Sequence, residues 1–279
     1  MKRQDVQERI ISVYIHRFDP TSDKKPRAVL YELAVEQGMT VLDGLHRIKE
    51  TQDPTLAFRF SCRMGVCGSC AMLINGKPML ACNTQILDVT DKALTVAPLP
   101  NFRVVRDLVP DLAPLFKKHV QVNPYIVRTD GHEMESPSGE FIQTPEELIK
   151  YLQFTYCIKC GACVAACPTA ATDENYLGPM ALAQAYRYIV DSRDDGFHSR
   201  KSVVGADKAV FNCHYAGECS AVCPKGVDPA RAIQFMKREL VRDYLLMRRH
   251  TAPLKARALN DKSKEKKTPL PVPPYTVDR

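Results

Sequence analysis

Eleven cysteines fall in three groups and nowhere else along 279 residues, and no other feature constrains the chain as tightly. The groups are Cys62, Cys67, Cys70 and Cys82; Cys157, Cys160, Cys163 and Cys167; and Cys213, Cys219 and Cys223. An odd number cannot pair completely into disulfides within one chain. The opening MKRQDVQERI has no apolar core segment, and Asp5 and Glu8 are out of place in a transit peptide, so a reducing compartment is expected. In such a compartment clustered cysteines more often bind metal than one another.

The first group reads C-x4-C-x2-C-x11-C within FSCRMGVCGSC and ACNT. That spacing is the plant-ferredoxin pattern for a [2Fe–2S] core. Gly65 and Gly68 suit a loop that must turn thiolates and amide N–H groups inward, because glycine allows close backbone approach. A zinc site is the alternative, but its usual paired C-x2-C spacing is absent. The second group reads C-x2-C-x2-C-x3-C-P, ending at Pro168. This is the bacterial-ferredoxin run, whose fourth cysteine ligates the other core of a two-cluster fold.

Aligned on the second group, the third should carry cysteines at 213, 216, 219 and 223, followed by proline. The chain has Cys213, Ala216, Cys219 and Cys223-Pro224, so one ligand is missing. With the fourth cysteines exchanged, Cys157, Cys160, Cys163 and Cys223 hold a [4Fe–4S] core. Cys167, Cys213 and Cys219 are left with no thiolate for a fourth iron, which makes [3Fe–4S] the simplest result. An oxygen from Tyr215 or Glu218, or a water, could complete a fourth iron instead. An iron open to substrate would suggest Lewis-acid hydratase chemistry, or a sensor. That alternative leaves the first cluster and the second cubane without a role.

The remaining patterning indicates an α+β chain. Ile10–Phe18 and Ala28–Val35 alternate like half-buried strands, and Ala71–Ile74 and Pro78–Cys82 flank an Asn75-Gly76 hairpin turn. Thr40 opens a helix with Asp43 three residues on, and Leu94–Pro98 reads as a last strand. Prolines at 98, 100, 110 and 114 mark a connection, so residues 1–105 are expected to form a [2Fe–2S] domain and 106–250 a helical two-cluster domain. Helices are expected over Pro145–Leu152, after Gly178-Pro179 and after Asp228-Pro229. The last of these should line its core side with Ile233, Met236, Leu240 and Tyr244. Residues 251–279, with KSKEKK and PLPVPP, read as a charged, proline-rich extended tail.

A net charge of +7, from 39 Lys+Arg and 32 Asp+Glu, could suggest a nucleic-acid or anionic-membrane partner. Three oxidised clusters would add roughly −6 by formal valence, so the excess is read as compensation for cluster charge. With 45% hydrophobic and 25% charged residues the chain is neither disordered nor fibrous, and no apolar run reaches the ~20 residues of a membrane span.

FSCRMGVCGSC, CIKCGACVAACP and NCHYAGECSAVCPKG, with LGPMALAQAYRYIVDSRDDG between the last two, resemble the iron–sulfur subunit of succinate:quinone oxidoreductase (complex II) and its fumarate reductase relatives. The resemblance covers roughly residues 8–248. It implies a β-grasp ferredoxin domain followed by a helical two-cluster domain. It also implies an FAD-bearing flavoprotein partner, a membrane anchor that often carries haem b, and quinone as acceptor. The family's quinone-side positions fall on Pro168, His214 and Lys237. Many members place a tryptophan a few residues past the CP of the second motif; this chain has no tryptophan, and Thr172 sits near that place. The reading is an electron relay of succinate dehydrogenase, peripheral on the cytoplasmic face of a prokaryotic membrane, with fumarate reductase the reverse-direction alternative.

Overall fold

The computed structural model describes residues 9–246, so the 251–279 tail lies outside the described residues. Among those described, one compact unit takes residues up to Ala113 together with Ile158–Ala166. The other takes Pro114–Cys157 and the residues from Cys167 on.

The first unit is built on alternation. In β1 (Arg9–Arg17), Ile11, Val13 and Ile15 are buried while their neighbours face outward, and β2 (Arg27–Val35) repeats the pattern with Tyr31, Leu33 and Val35. The two pair antiparallel with Val13 opposite Tyr31. The helix α1 (Val41–Thr51) begins at a capping box: Thr40 Oγ1 accepts from the Asp43 amide and the Asp43 carboxylate accepts from the Thr40 amide. Its Val41, Leu42, Leu45 and Ile48 are buried on one stripe, each such side chain contributing about 1.5–3 kcal/mol.

The strands β3 (Ala71–Ile74) and β4 (Lys77–Leu80) form a hairpin over Asn75-Gly76, where both turn residues have positive φ. A short helix α2 (Ile86–Val89) leads to β5 (Ala93–Ala97). The five strands lie in the order β2-β1-β5-β3-β4, with β1 and β5 parallel and the other pairs antiparallel. A mixed sheet grasping one helix is the β-grasp arrangement.

The 98–114 stretch is more than a connection. Leu99 and Leu108 are 1% exposed in the first core, and β6 (Val104–Arg106) and β7 (Val109–Pro110) make a hairpin. The prolines shape turns while the apolar residues between them supply packing.

The second unit is helical. After α3 (Ala113–Gln121) and α4 (Gly131–Glu135), α5 (Pro145–Thr155) starts at a second capping box, Thr144 with Glu147, and runs three residues beyond the expected end. The short helices α6 (Ala162–Ala165, in the first unit) and α7 (Pro168–Thr172) each follow cysteines of the second group. Then come α8 (Pro179–Ile189), α9 (Phe197–Val204), α10 (Glu218–Ala221) and α11 (Pro229–Leu246).

Nearly all of α8 is buried, packed by α5 and α11, with Leu182, Ala185, Tyr186 and Ile189 inside. On α11, Ile233, Met236 and Leu240 are buried, but Tyr244 is 81% exposed and does not line the core. The helical period continues past Leu240, the last buried apolar residue of this face. Arg200 is fully buried, paired with Asp194 at 2.6 Å and donating to the carbonyls of Val122, Asn123 and Tyr125. Its charge thus finds the partners that burial demands.

Candidate iron–sulfur sites

None of the eleven cysteines is in a disulfide. The first group lies on an irregular loop between α1 and β3, with Cys82 on the turn after β4. The loop's backbone curls around sulfur. The amides of Val66 and Cys67 donate to Cys62 Sγ at 3.3 Å, Gly65 N–H donates to Cys82 Sγ at 3.2 Å, and Cys82 N–H to Cys70 Sγ at 3.5 Å. Positive φ at Arg63, Gly65 and Gly68 makes the curl possible.

Gly68 has a second reason to lack a side chain, since a Cβ there would stand 2.8 Å from that of Cys160 in the same unit. Cys62 N–H donates to Cys67 Sγ, and this with neighbouring donors draws the exposed Cys67 thiol down to about 6; burial pushes Cys70 up. Soft thiols ringed by inward amides fit an iron–sulfur core, which such hydrogen bonds tune. Among the described residues, no three His, Cys, Asp or Glu side chains converge as they would around a single metal ion.

The second and third groups share one backbone. Lys159 and Tyr215, each two residues after the first cysteine of its run, have φ of 55° and 59°. Gly161 and Gly217 follow with φ of 86° and 82°, each starting a one-turn helix, α6 or α10. Ala216 therefore occupies in its loop the place that Cys160 holds in the other. Gly161 packs within the first unit against Leu99, Phe102 and Leu112, and Asn101 Nδ2 donates to the carbonyls of Val164 and Ala165, tying α6 to that unit. Cys160 packs on the first core, while Cys157, Cys167, Cys213 and Cys223 pack on the second.

In the second unit Cys167, Cys213 and Cys219 line one small cavity. Exposed His214, Tyr215 and Ala216 form part of its rim, and Pro168, at the start of α7, is exposed beside it. Lys237, from α11, donates to the Cys213 carbonyl at 3.0 Å, so it braces a loop residue as well as carrying charge. Thr172 is exposed, its hydroxyl donating to the carbonyls of Pro168 and Thr169. Burial and then the negative charge that Cys213, Cys167 and Cys219 carry as thiolates push the Tyr176 phenol far above its ordinary range. Tyr176 lines the cavity at 0% exposure, and no spacing pattern in the sequence marked it.

Family models match in order: a 2Fe-2S iron-sulfur cluster binding domain over residues 12–117 and a 4Fe-4S dicluster domain over 153–227. The fumarate reductase iron-sulfur subunit of Mycobacterium tuberculosis (strain CDC 1551 / Oshkosh) is 45% identical over 227 residues, covering 81% of this chain and 91% of the relative. That of Haemophilus influenzae is 39% identical over 85% of this chain and 95% of its own length. The mitochondrial succinate dehydrogenase [ubiquinone] iron-sulfur subunit of Candida glabrata is 38% identical over 84% and 93%. A chain of the Mycobacterium smegmatis Sdh1 complex in the apo form superposes with a TM-score of 0.71 at 28% identity, covering 86% of this chain and 98% of that one. Among the described residues no helix is long and apolar enough to cross a membrane.

Proposed function

Since the chain belongs to the family of iron–sulfur subunits of fumarate reductases and succinate dehydrogenases, we propose that it relays electrons between an FAD-bearing flavoprotein and membrane quinone. The observation that carries this reading is the repeated loop with alanine in place of one cysteine, set beside a cavity lined by three thiols. In this reading Cys62, Cys67, Cys70 and Cys82 hold [2Fe–2S]; Cys157, Cys160, Cys163 and Cys223 hold [4Fe–4S]; and Cys167, Cys213 and Cys219 hold [3Fe–4S]. When bound, the cores supply one-electron carriers that join two-electron flavin chemistry to quinone.

The chain's own residues do the rest. Amides aimed at sulfur favour the reduced, more negative state of the first site, and Lys237 fixes the loop that presents Cys213. In this reading exposed Pro168 and His214 form the surface offered to quinone, and the His214 imidazole hands a proton to a quinone oxygen; its exposure on the cavity rim supports this. The partners are the flavoprotein and a membrane anchor that can carry haem b, with this subunit peripheral on the cytoplasmic face.

We assign succinate oxidation as the working direction. The higher identity to relatives named fumarate reductase supports the reverse reading with the same residues. The purified complex, assayed with succinate plus quinone and with fumarate plus quinol, decides. Faster succinate oxidation is expected, and a dominant fumarate reduction rate reverses the assignment. Neither activity, with an oxidised EPR spectrum free of [3Fe–4S], would sink the relay itself.

A further inference from the structure

Tyr176 poses a problem of hydrogen-bond accounting. Its ring is fully buried among the apolar residues of the second core, and among the described residues its hydroxyl has no regular hydrogen-bond partner, the Cys213 sulfur being the group near enough to interact with it. A buried donor left unmade is destabilising, so phenylalanine would be the better residue here unless something else accepts the hydrogen bond. The cavity that Tyr176 lines supplies the candidates, because Cys167, Cys213 and Cys219 share its wall. The backbone around Tyr176 is fixed independently. Its N–H donates to the Asp173 carbonyl at 3.1 Å, and its carbonyl accepts from Lys118 Nζ at 2.7 Å. The hydroxyl is therefore held beside the thiols by the chain around it.

We propose that Tyr176 donates its O–H to a sulfur of the core held by Cys167, Cys213 and Cys219, and that this bond raises the reduction potential of that centre. The inference rests on the ligand assignment made above. A phenol with an ordinary pKa of about 10 keeps its proton at neutral pH, so it is a donor whatever the redox state. Reduction adds one electron and one unit of negative charge to the core, and a hydrogen bond to a more negative acceptor is stronger. The bond stabilises the reduced state more than the oxidised one. Hydrogen bonds to sulfur and exclusion of solvent are among the levers by which a protein sets these potentials. Tyr176 supplies both, since its ring seals the inner wall of a cavity whose outer rim is exposed. It is a positioning residue for the electron, not a group that touches quinone.

The test is a redox titration of the purified membrane complex, following the oxidised [3Fe–4S] EPR signal in wild type and Tyr176→Phe. The variant should favour the oxidised state about tenfold at a given potential, which for one electron is a fall of ~59 mV. The wild-type signal should also show coupling to an exchangeable proton, removed in D2O and weakened in the variant. A merely packing role for the ring moves neither. An intact signal with an unchanged midpoint overturns the proposal. If the phenylalanine variant fails to keep its core, 3-fluorotyrosine at position 176, a stronger donor of nearly the same size, carries the test. The midpoint should then rise, and an unchanged value overturns the proposal equally. A wild-type complex with no [3Fe–4S] signal would instead overturn the ligand assignment, so the two failures are distinguishable.

Discussion

Arg17 Nε donates to Asp107 Oδ1 at 2.9 Å, joining β1 to the turn between β6 and β7 across 90 residues of sequence. Both side chains are almost fully buried, at 8% and 2% exposure. Asp107 also accepts from the amides of Phe18 and Ala57, so one carboxylate closes three segments of the first unit. Removing one member of a buried pair leaves the other charge uncompensated, at about 3–5 kcal/mol. Asp107→Ala should lower the unfolding free energy of the first unit, measured by denaturant titration, by an amount in that range. A loss below about 1 kcal/mol would show that Asp53 and water take over the guanidinium. By the same reasoning a fragment ending at 105 should fold worse than one ending at 113, which near-ultraviolet circular dichroism would report.

Asp53 faces the same guanidinium. Burial alone would raise its pKa, but hydrogen bonds from Thr55, Tyr31 and Arg17 outweigh that and hold the carboxyl well below the usual range. A depressed folded-state pKa gives stability that is present above the unfolded value of about 3.9 and is lost as pH falls through the folded one. The stability difference between wild type and Asp53→Asn should therefore be constant from pH 7 to about pH 5 and shrink below about pH 4. Unfolding free energies measured across that range check the slope. A gap that widens on acidification would mean that the sign is wrong.

Gly68 separates two effects of glycine. Alanine there meets a left-handed φ of 74° and the Cys160 Cβ at 2.8 Å, so strain and overpacking add to about 2–5 kcal/mol. Gly76 has a similar φ of 78° but open space around it, so Gly76→Ala should show the strain alone, about 1–2 kcal/mol. Iron content should drop in Gly68→Ala and hold in Gly76→Ala. Equal iron retention in the two variants would remove the close approach to Cys160 from the account of the first site.

What the sequence disclosed and what it concealed divide along the range of the interactions. The capping box at Thr40 and Asp43, the Asn75-Gly76 turn and the spacing of the second and third cysteine groups are local, and each is legible over a few residues. The missing ligand at 216 is legible for the same reason, because the two loops repeat residue for residue. Asp107 carries no such mark, since its meaning comes from Arg17 ninety positions away. Tyr176 carries none either, because a single tyrosine before Leu-Gly-Pro has no periodic partner. Tyr244 failed in the opposite direction. Its helical spacing is correct, but burial depends on what lies opposite, and the α9 side of that end of α11 is met by Asp243 and not by Tyr244.

Ala216 offers the most direct test of the third site. It stands at the loop position that Cys160 occupies in the second group, with the preceding residue and the following glycine in matching left-handed conformations. It is exposed on the cavity rim, so a larger side chain has room without disturbing the core. Ala216→Cys should supply the absent thiolate and permit a fourth iron. Iron per complex should rise by about one, and the oxidised [3Fe–4S] EPR signal should disappear, as the change of cluster type requires. A fourth thiolate adds negative charge and stabilises the oxidised state, so the potential of this centre should fall. A fall of ~59 mV makes the reduced-to-oxidised ratio of this centre tenfold smaller at a given upstream potential, so quinone reduction should slow where filling of this centre limits the rate. Succinate oxidation by an artificial acceptor working on the flavin side should keep most of its rate. An unchanged [3Fe–4S] signal in a folded, fully loaded variant would mean that position 216 does not face the open iron corner, and the alignment of the two loops would then have no chemical meaning.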